Sequence, residues 1–581
     1  MKLEVIDWII VILFFILSIF IGIITSKKAS SSAEDFFLSG RKMPWWLLGV
    51  SMVATTFAAD TPGLVTNIVR EDGGGVYGNW VWWSMLLTGM LTVFFYAKLW
   101  RKSGVTTDLE FYELRYSGKS ASYLRGFRAI YLGVVFNVIT MAGVCLAGNK
   151  IGYVLFGLQP YQTLLIAGVI TVIYSSLGGL KSVLLTDFFQ FIIAMIGSVW
   201  ATVYIVNLPE IGGIENLISN PVLKDRLSFF PDFENTELLI TILIIPLAVQ
   251  WWSTWYPGAE PGGGGYIAQR MLAAKDEKNA TWAVLFFNFA HYALRPWPWI
   301  IVGLASLIMF PTLGSLQVAF PDLAKSYIGH DLAYSAMLTF LPVGLLGLVA
   351  TSLIAAFMST LSTQLNWGAS YIVNDVYKRF INHNSTPQQD INVGRMSTAI
   401  LMIFAGLLSL VYENAKEVFD LMLLIGAGTG LLFILRWFWT KINPYSEIAA
   451  MAISFSIAIF FFINSKLEQP LMELSGNEKL LWGIFLTTIG WVFVTLITNP
   501  ETDKVIGKFE ALVFTNKDGE VTKYENFGFK ILGFVSATIG VYATLFAIGN
   551  TIYGETFLAF VCFSIFLICL TILIFIRKKI V

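Results

Sequence analysis

The sequence predicts an all-α integral membrane protein with about fifteen transmembrane helices. Three observations carry that prediction. Hydrophobic residues make up 56% of the 581 and charged ones only 13%, about half the charged share of an ordinary soluble domain. Apolar runs of about 20 residues, the length that crosses a bilayer, recur along the whole chain. Lys and Arg fall unevenly on the loops between those runs.

The predicted spans lie near 7–25, 44–68, 78–99, 126–156, 161–177, 182–207, 238–269, 280–310, 336–374, 394–412, 417–439, 446–464, 479–498, 529–549 and 553–576. The first is read as a true span and not a cleaved leader, because its basic pair Lys27-Lys28 follows the apolar run. With the N-terminus outside, inner loops hold 28 of the 38 Lys and Arg, outer segments nine, and Arg295 alone stays within a span. The loop 98–128 contributes seven of them, and the C-terminal Arg577-Lys578-Lys579 falls in the cytoplasm. The expected location is therefore the plasma membrane, with lipid as the surrounding partner. Neither 208–236 nor 499–528 is long enough for an independent core. Net charge is zero, which gives nucleic acid nothing to bind. Cys145, Cys562 and Cys569 sit in apolar runs without metal spacing and read as small buried hydrophobes.

Two spans look interrupted. The second reads SMVATTFAADTPG, with Asp60 and Pro62-Gly63 midway along an apolar run. The seventh reads WWSTWYPGAEPGGGGYIAQR, with Glu260 between Pro257-Gly258 and Pro261, followed by four glycines. Backbone that leaves the helix inside a membrane must be satisfied by protein, water or a bound ion. Proline and glycine also simply kink membrane helices. A matched pair of breaks five spans apart, each with a carboxylate, points instead to the binding site of a transporter built from inverted repeats.

The ninth span carries AAFMSTLST, residues 355–363. Ser359, Ser362 and Thr363 stand at i, i+3 and i+4 and share one helix face; Thr360 follows Ala356 by four. Paired hydroxyls with freed carbonyls suit a hard cation such as sodium. The alternative is hydroxyls bonded back to the preceding turn or across to a neighbouring helix.

At these residues the chain resembles the sodium:solute symporter family. The resemblance rests on FFLSGRKMPWW (36–46), SSLGGLKSVLLTDFFQF (175–191), YIAQRMLAAKDEKNA (266–280) and MSTLSTQLNWGASYIVNDVYK (358–378), in that order over residues 30–440. It implies a leucine-transporter-like core of two inverted five-helix repeats, 31–207 and 208–440, after an extra helix in 1–30 and before additional helices in 441–581. It further implies a sodium site made by the carbonyls of Ala54, Phe57 and Ala356 with the hydroxyls of Ser359 and Thr360. A second sodium, as some members bind, would use Ser359, Ser362, Thr363 and Asp187. Otherwise Asp187 would order the short 178–181 loop.

The resemblance places solute contacts at Asp60 and Thr61, where sugar-carrying members have an acidic residue followed by Gln. It also places one at His291, where they have a basic residue. His291 and Arg295 are stacked by their i, i+4 spacing; Arg295 would either grip a carboxylate or neutralise Asp60 or Glu260. Trp251, Trp252, Trp255 and Tyr256 could stack on a sugar ring, surround a cation or simply pack, and Tyr266 could act as a gate. The segment YPGAEPGGGGY departs from the family pattern, which leaves the solute class open.

The expected function is sodium-coupled import of a small organic solute by alternating access, with sugars or sugar acids ahead of amino acids and other carboxylates or amines. A channel seldom needs two midplane breaks. A transporter-like sensor usually adds a signalling domain. An enzyme needs a nucleophile, base or metal cluster, and the chain has three His, two of them (His330, His383) in loops.

Overall fold

The computed structural model describes residues 3–29, 32–56, 58–253, 260–412, 422–467, 469–516 and 518–580. Among them, eleven helices are long and apolar enough to cross a membrane. In chain order the main elements are α1 (Val5–Ala29), α2 (Trp45–Thr56), α3 (Thr61–Arg70), α4 (Val76–Ser103), α5 (Gly118–Phe156) and α6 (Pro160–Val206). They continue as α7 (Thr236–Ala248), α8 (Gly265–Ala273), α9 (Glu277–Met309), α10 (Leu345–Ile381) and α11 (Pro387–Ser409). The last four are α12 (Pro444–Lys466), α13 (Gly476–Ile497), α14 (Phe527–Ile552) and α15 (Thr556–Ile580).

Both predicted interruptions are present. The second span divides into α2, ending at Thr56, and α3, starting at Thr61, and the seventh divides into α7 and α8. Pro62 explains the restart at α3: it sits in the first turn of a new helix, where its missing N–H costs nothing. α6 covers the fifth and sixth predicted spans and is divided at Gly179, whose φ is +56° and whose added Cβ would lie 2.5 Å from the Phe36 carbonyl oxygen. The predicted span 417–439 starts on residues outside the described ones and contains the short helix Gly430–Leu435.

Burial sorts the helices into centre and periphery. The most apolar stretch of α10 is 89% buried within the protein, whereas that of α15 is 11% buried and presents its side chains outward. α10 packs on α1, α2, α5, α6, α8 and α11, while α2 lies between α6 and α9. Glycine allows close crossings here: a Cβ at Gly49 in α2 would be 2.9 Å from the Ala283 carbonyl oxygen in α9. The hydroxyl-rich helix thereby touches both interrupted spans, through α2 and α8.

Candidate functional site

α2 ends at Thr56, so carbonyls of its last turn are open to partners outside the helix. Arg295 in α9 donates to the Val53 oxygen at 3.3 Å and to the Thr56 oxygen at 3.1 Å. The Thr360 hydroxyl in α10 donates to the Thr55 oxygen at 2.8 Å. Among the described residues, none donates to the fourth, that of Ala54. Ala54 and Ala356 are both buried, at 3% and 2% exposure. Phe57 lies outside the described residues.

A second polar group fills the space between α2, α6, α8 and α10. Asp187 is fully buried, accepts from Ser359 at 2.6 Å through one oxygen, and accepts from Ser51 through the other. Its partners are thus on α10 and α2, and not in the 178–181 loop. Thr363 shares a hydrogen bond with Thr55 at 3.0 Å and accepts from Arg270 at 2.8 Å. Arg270 also donates to Ser51 and to Gln269, so acid and base are joined through hydroxyls in a buried network. Ser362 donates back to the Ser359 carbonyl at 3.0 Å, which is the local bond that competes with a ligand role.

Two residues in this region had no assigned role in the sequence, although both stand in the motifs quoted above. Arg270 is one. The other is Gln190, which follows Asp187 by three on the face of α6 that meets α10. It is 2% exposed and neither of its amide atoms has a hydrogen-bond partner. Gly197 continues that face and would bring a Cβ within 3.5 Å of the Ser352 hydroxyl, placing Gln190 between two fixed contacts with α10. The available signal was a polar side chain one turn after a membrane-embedded carboxylate.

The expected solute residues group around the same helix end. Asp60 and Thr61 are partly exposed where α3 begins, and the Asp60 carbonyl accepts from the Leu64 amide at 2.8 Å. His291 is 2% exposed, with Nε2 3.4 Å from Arg295 and its ring edge-on to Tyr292 at 4.5 Å. Tyr266 places its hydroxyl 3.1 Å from that of Thr56. Arg295 also lies over the Trp299 ring at 5.1 Å.

Glu260 has different partners. It is 4% exposed and pairs with Arg128 at 2.8 Å and Arg436 at 3.8 Å. Arg436 continues to Glu447 at 3.7 Å, which accepts from Tyr116 at 3.0 Å. Its recorded ion pairs are with these two arginines and not with Arg295. Trp255 and Tyr256 lie outside the described residues; Trp251 and Trp252 pack together at 5.9 Å.

Buried hydroxyls, freed helix-end carbonyls and one carboxylate are the kind of oxygen ligands that suit a small hard cation. No group of three His, Cys, Asp or Glu positioned for a transition metal occurs among the described residues.

Comparison with known proteins identifies the family. The model of the sodium:solute symporter family matches residues 36–454. The sodium/glucose cotransporter of Vibrio parahaemolyticus is 24% identical, over 86% of this chain and 91% of its own length. The sodium/sialic acid symporter SiaT of Proteus mirabilis is 24% identical, over 75% and 85%. A solved Na+-coupled sialic acid symporter shares the fold with a TM-score of 0.66 at 19% identity, covering 86% of this chain and 99% of its own. With bundle, paired breaks and motif order all in place, the chain belongs to the sodium:solute symporter family.

Proposed function

We propose that this protein imports a sugar or sugar acid together with sodium. The observation that carries the sodium assignment is the end of α2, where three carbonyls are held by Arg295 and Thr360 and, among the described residues, none donates to that of Ala54. A site made by Ala54, Phe57, Ala356, Ser359 and Thr360 would join the broken helix to α10. Sodium there restrains α2 and α3 around their break and lowers the ordering cost of solute binding, and by linkage solute tightens sodium equally. A second sodium would use Asp187, Ser359 and Thr363, with Ser362 rotating out of its local bond, and would displace the Arg270 guanidinium from Thr363.

Asp60 and Thr61 are the proposed solute contacts, with His291, Tyr266 and Trp255 around them. Arg295 is assigned to the half-helix carbonyls, which favours a polyhydroxyl solute held by Asp60 over one held mainly by its carboxylate. The relatives' names agree: glucose, mannose, myo-inositol and sialic acid cotransporters are among them, beside a proline transporter. Glu260 is read as a latch on the seventh span. The repeats are placed at 31–207 and 208–440, with the N-terminus outside and the C-terminus cytoplasmic.

The test is uptake into proteoliposomes of labelled glucose, sialic acid and proline, each with and without an inward sodium gradient. Sodium-driven uptake of a sugar or sugar acid is the expected result. Sodium-driven uptake of proline alone would favour the amino-acid reading. Equal uptake in sodium and in choline would overturn the proposal.

A further inference from the structure

α10 begins at Leu345, and the residue before it, Gly344, has φ +86° and no side chain with which to cap the helix. Ordinarily an N-cap Ser, Thr, Asp or Asn accepts from the amide two or three residues on. Here the acceptor comes from the far end of the sequence. Asp7, in the first turn of α1, is fully buried; its Oδ1 accepts from the Gly344 amide at 2.7 Å and from the Gly347 amide at 2.7 Å. Its Oδ2 accepts from the Glu4 amide at 3.0 Å, so both oxygens are engaged. The approach depends on glycine: a Cβ on Gly347 would lie 2.5 Å from the Asp7 Cα. A buried carboxylate satisfied by three amides at two helix N-termini is stabilised by both dipoles.

We propose that Asp7 is a positioning residue for the sodium helix, capping α10 in trans and making the extra N-terminal helix part of the ion-coupling machinery. Ser359 stands fifteen residues beyond Gly344, roughly 22 Å along the helix, too far for the Asp7 charge to act on the ion directly. The effect is mechanical. Asp7 sets the position of α10 at one end, and α1 also packs along α6, the helix that supplies Asp187. Without that fixed end, α10 is free to shift against α2, and the oxygens of the two helices no longer meet at one point. The transport part of this inference rests on the assignment of Ser359 and Thr360 to sodium; the capping part does not.

The experiment compares wild type, Asp7→Ala and Asp7→Asn in the full chain. Sodium half-saturation of uptake, solute KM at saturating sodium, and hydrogen exchange of the peptide spanning residues 342–350 are measured for each. Asp7→Ala is expected to speed exchange at Gly344 and Gly347 and raise sodium half-saturation about tenfold, the scale of one lost charge-assisted hydrogen bond. Solute KM at saturating sodium should stay within about twofold, since excess ion restores the arrangement. Asp7→Asn keeps one acceptor oxygen for both amides and should give a smaller shift of about two- to threefold in the same direction. It serves as the test if the alanine variant fails to reach the membrane. Unchanged exchange at 344 and 347 would overturn the cap. Faster exchange with unchanged sodium half-saturation, or a fall in maximal rate alone, would overturn the positioning role. If Thr360→Val also leaves sodium activation untouched while exchange speeds up, the sodium assignment has failed and the cap stands.

Discussion

Replacing Thr360 by Val isolates the contact on which the proposed ion site depends. Valine keeps the volume of threonine, so the change deletes one hydroxyl without leaving a cavity. In wild type that hydroxyl is fully buried and donates to the Thr55 oxygen at 2.8 Å. Its loss leaves a buried carbonyl without a donor, a cost of about 1–3 kcal/mol in the absence of sodium. If the hydroxyl oxygen also binds the ion, the sodium-loaded state loses a further ~1.5–3 kcal/mol, the range for hydrogen-bond partners of charged groups. At about 1.4 kcal/mol per tenfold, sodium half-saturation should rise by roughly 10- to 100-fold. The maximal rate at saturating sodium should fall much less. The assay is initial uptake against sodium concentration at constant ionic strength, with choline replacing sodium and surface levels matched. Thr360→Ser restores the oxygen and should lie close to wild type. Wild-type sodium activation in a well-folded Thr360→Val protein would refute the site.

Asp187→Asn should weaken sodium dependence and, if a second ion binds beside Thr363, lower the Hill coefficient of sodium activation; an unaltered coefficient in wild type and mutant would remove the second site. Arg295→Met removes the guanidinium that donates to the Val53 and Thr56 carbonyls and should reduce apparent affinity for both sodium and solute by about tenfold or more, with Arg295→Lys recovering part because it lacks the planar fork. Glu260→Gln strips the buried charge from Arg128 and Arg436 and should destabilise the protein by up to about 3–5 kcal/mol, read as a lower thermal midpoint. At the basic end, burial alone would raise the Glu113 carboxyl, but hydrogen bonds from Arg379 and Arg125 hold it below its ordinary value. Its contribution is therefore complete above pH 4.5 and disappears as pH falls through the depressed value, so acid sensitivity should diminish in Glu113→Gln.

Much of the architecture could be read from local chemistry. Asp60 and Pro62 interrupt an apolar run within four residues, and a helix cannot pass such a point without losing a donor. The spacing of Ser359, Ser362 and Thr363 also follows from helical periodicity alone, yet it did not say which hydroxyls face another helix. Ser359 reaches Asp187 across 172 residues, whereas Ser362, three further on, turns back to its own backbone. Arg295 was visible as a basic residue at the middle of a span, but its partners, two peptide carbonyls with no side-chain signature, were not. Glu260 stood beside a break like Asp60 and so looked equivalent; its arginines come from Arg128 and Arg436, 132 and 176 positions away. Gln190 and Arg270 were present in quoted motifs, but only their burial beside Asp187 or its hydroxyl partners marks them out.

The sequence by itself determined a sodium:solute symporter bundle with two broken helices and a hydroxyl-bearing helix opposite the first break. Those features are set within one or two helical turns by hydrophobic length, proline and side-chain period. The tertiary structure alone decided how the polar groups are shared: which carbonyls Arg295 and Thr360 hold, and that Asp7 caps a helix 337 residues away. A buried donor must find its acceptor wherever packing brings one within about 3 Å. That distance is fixed by how helices cross, which no stretch of sequence contains.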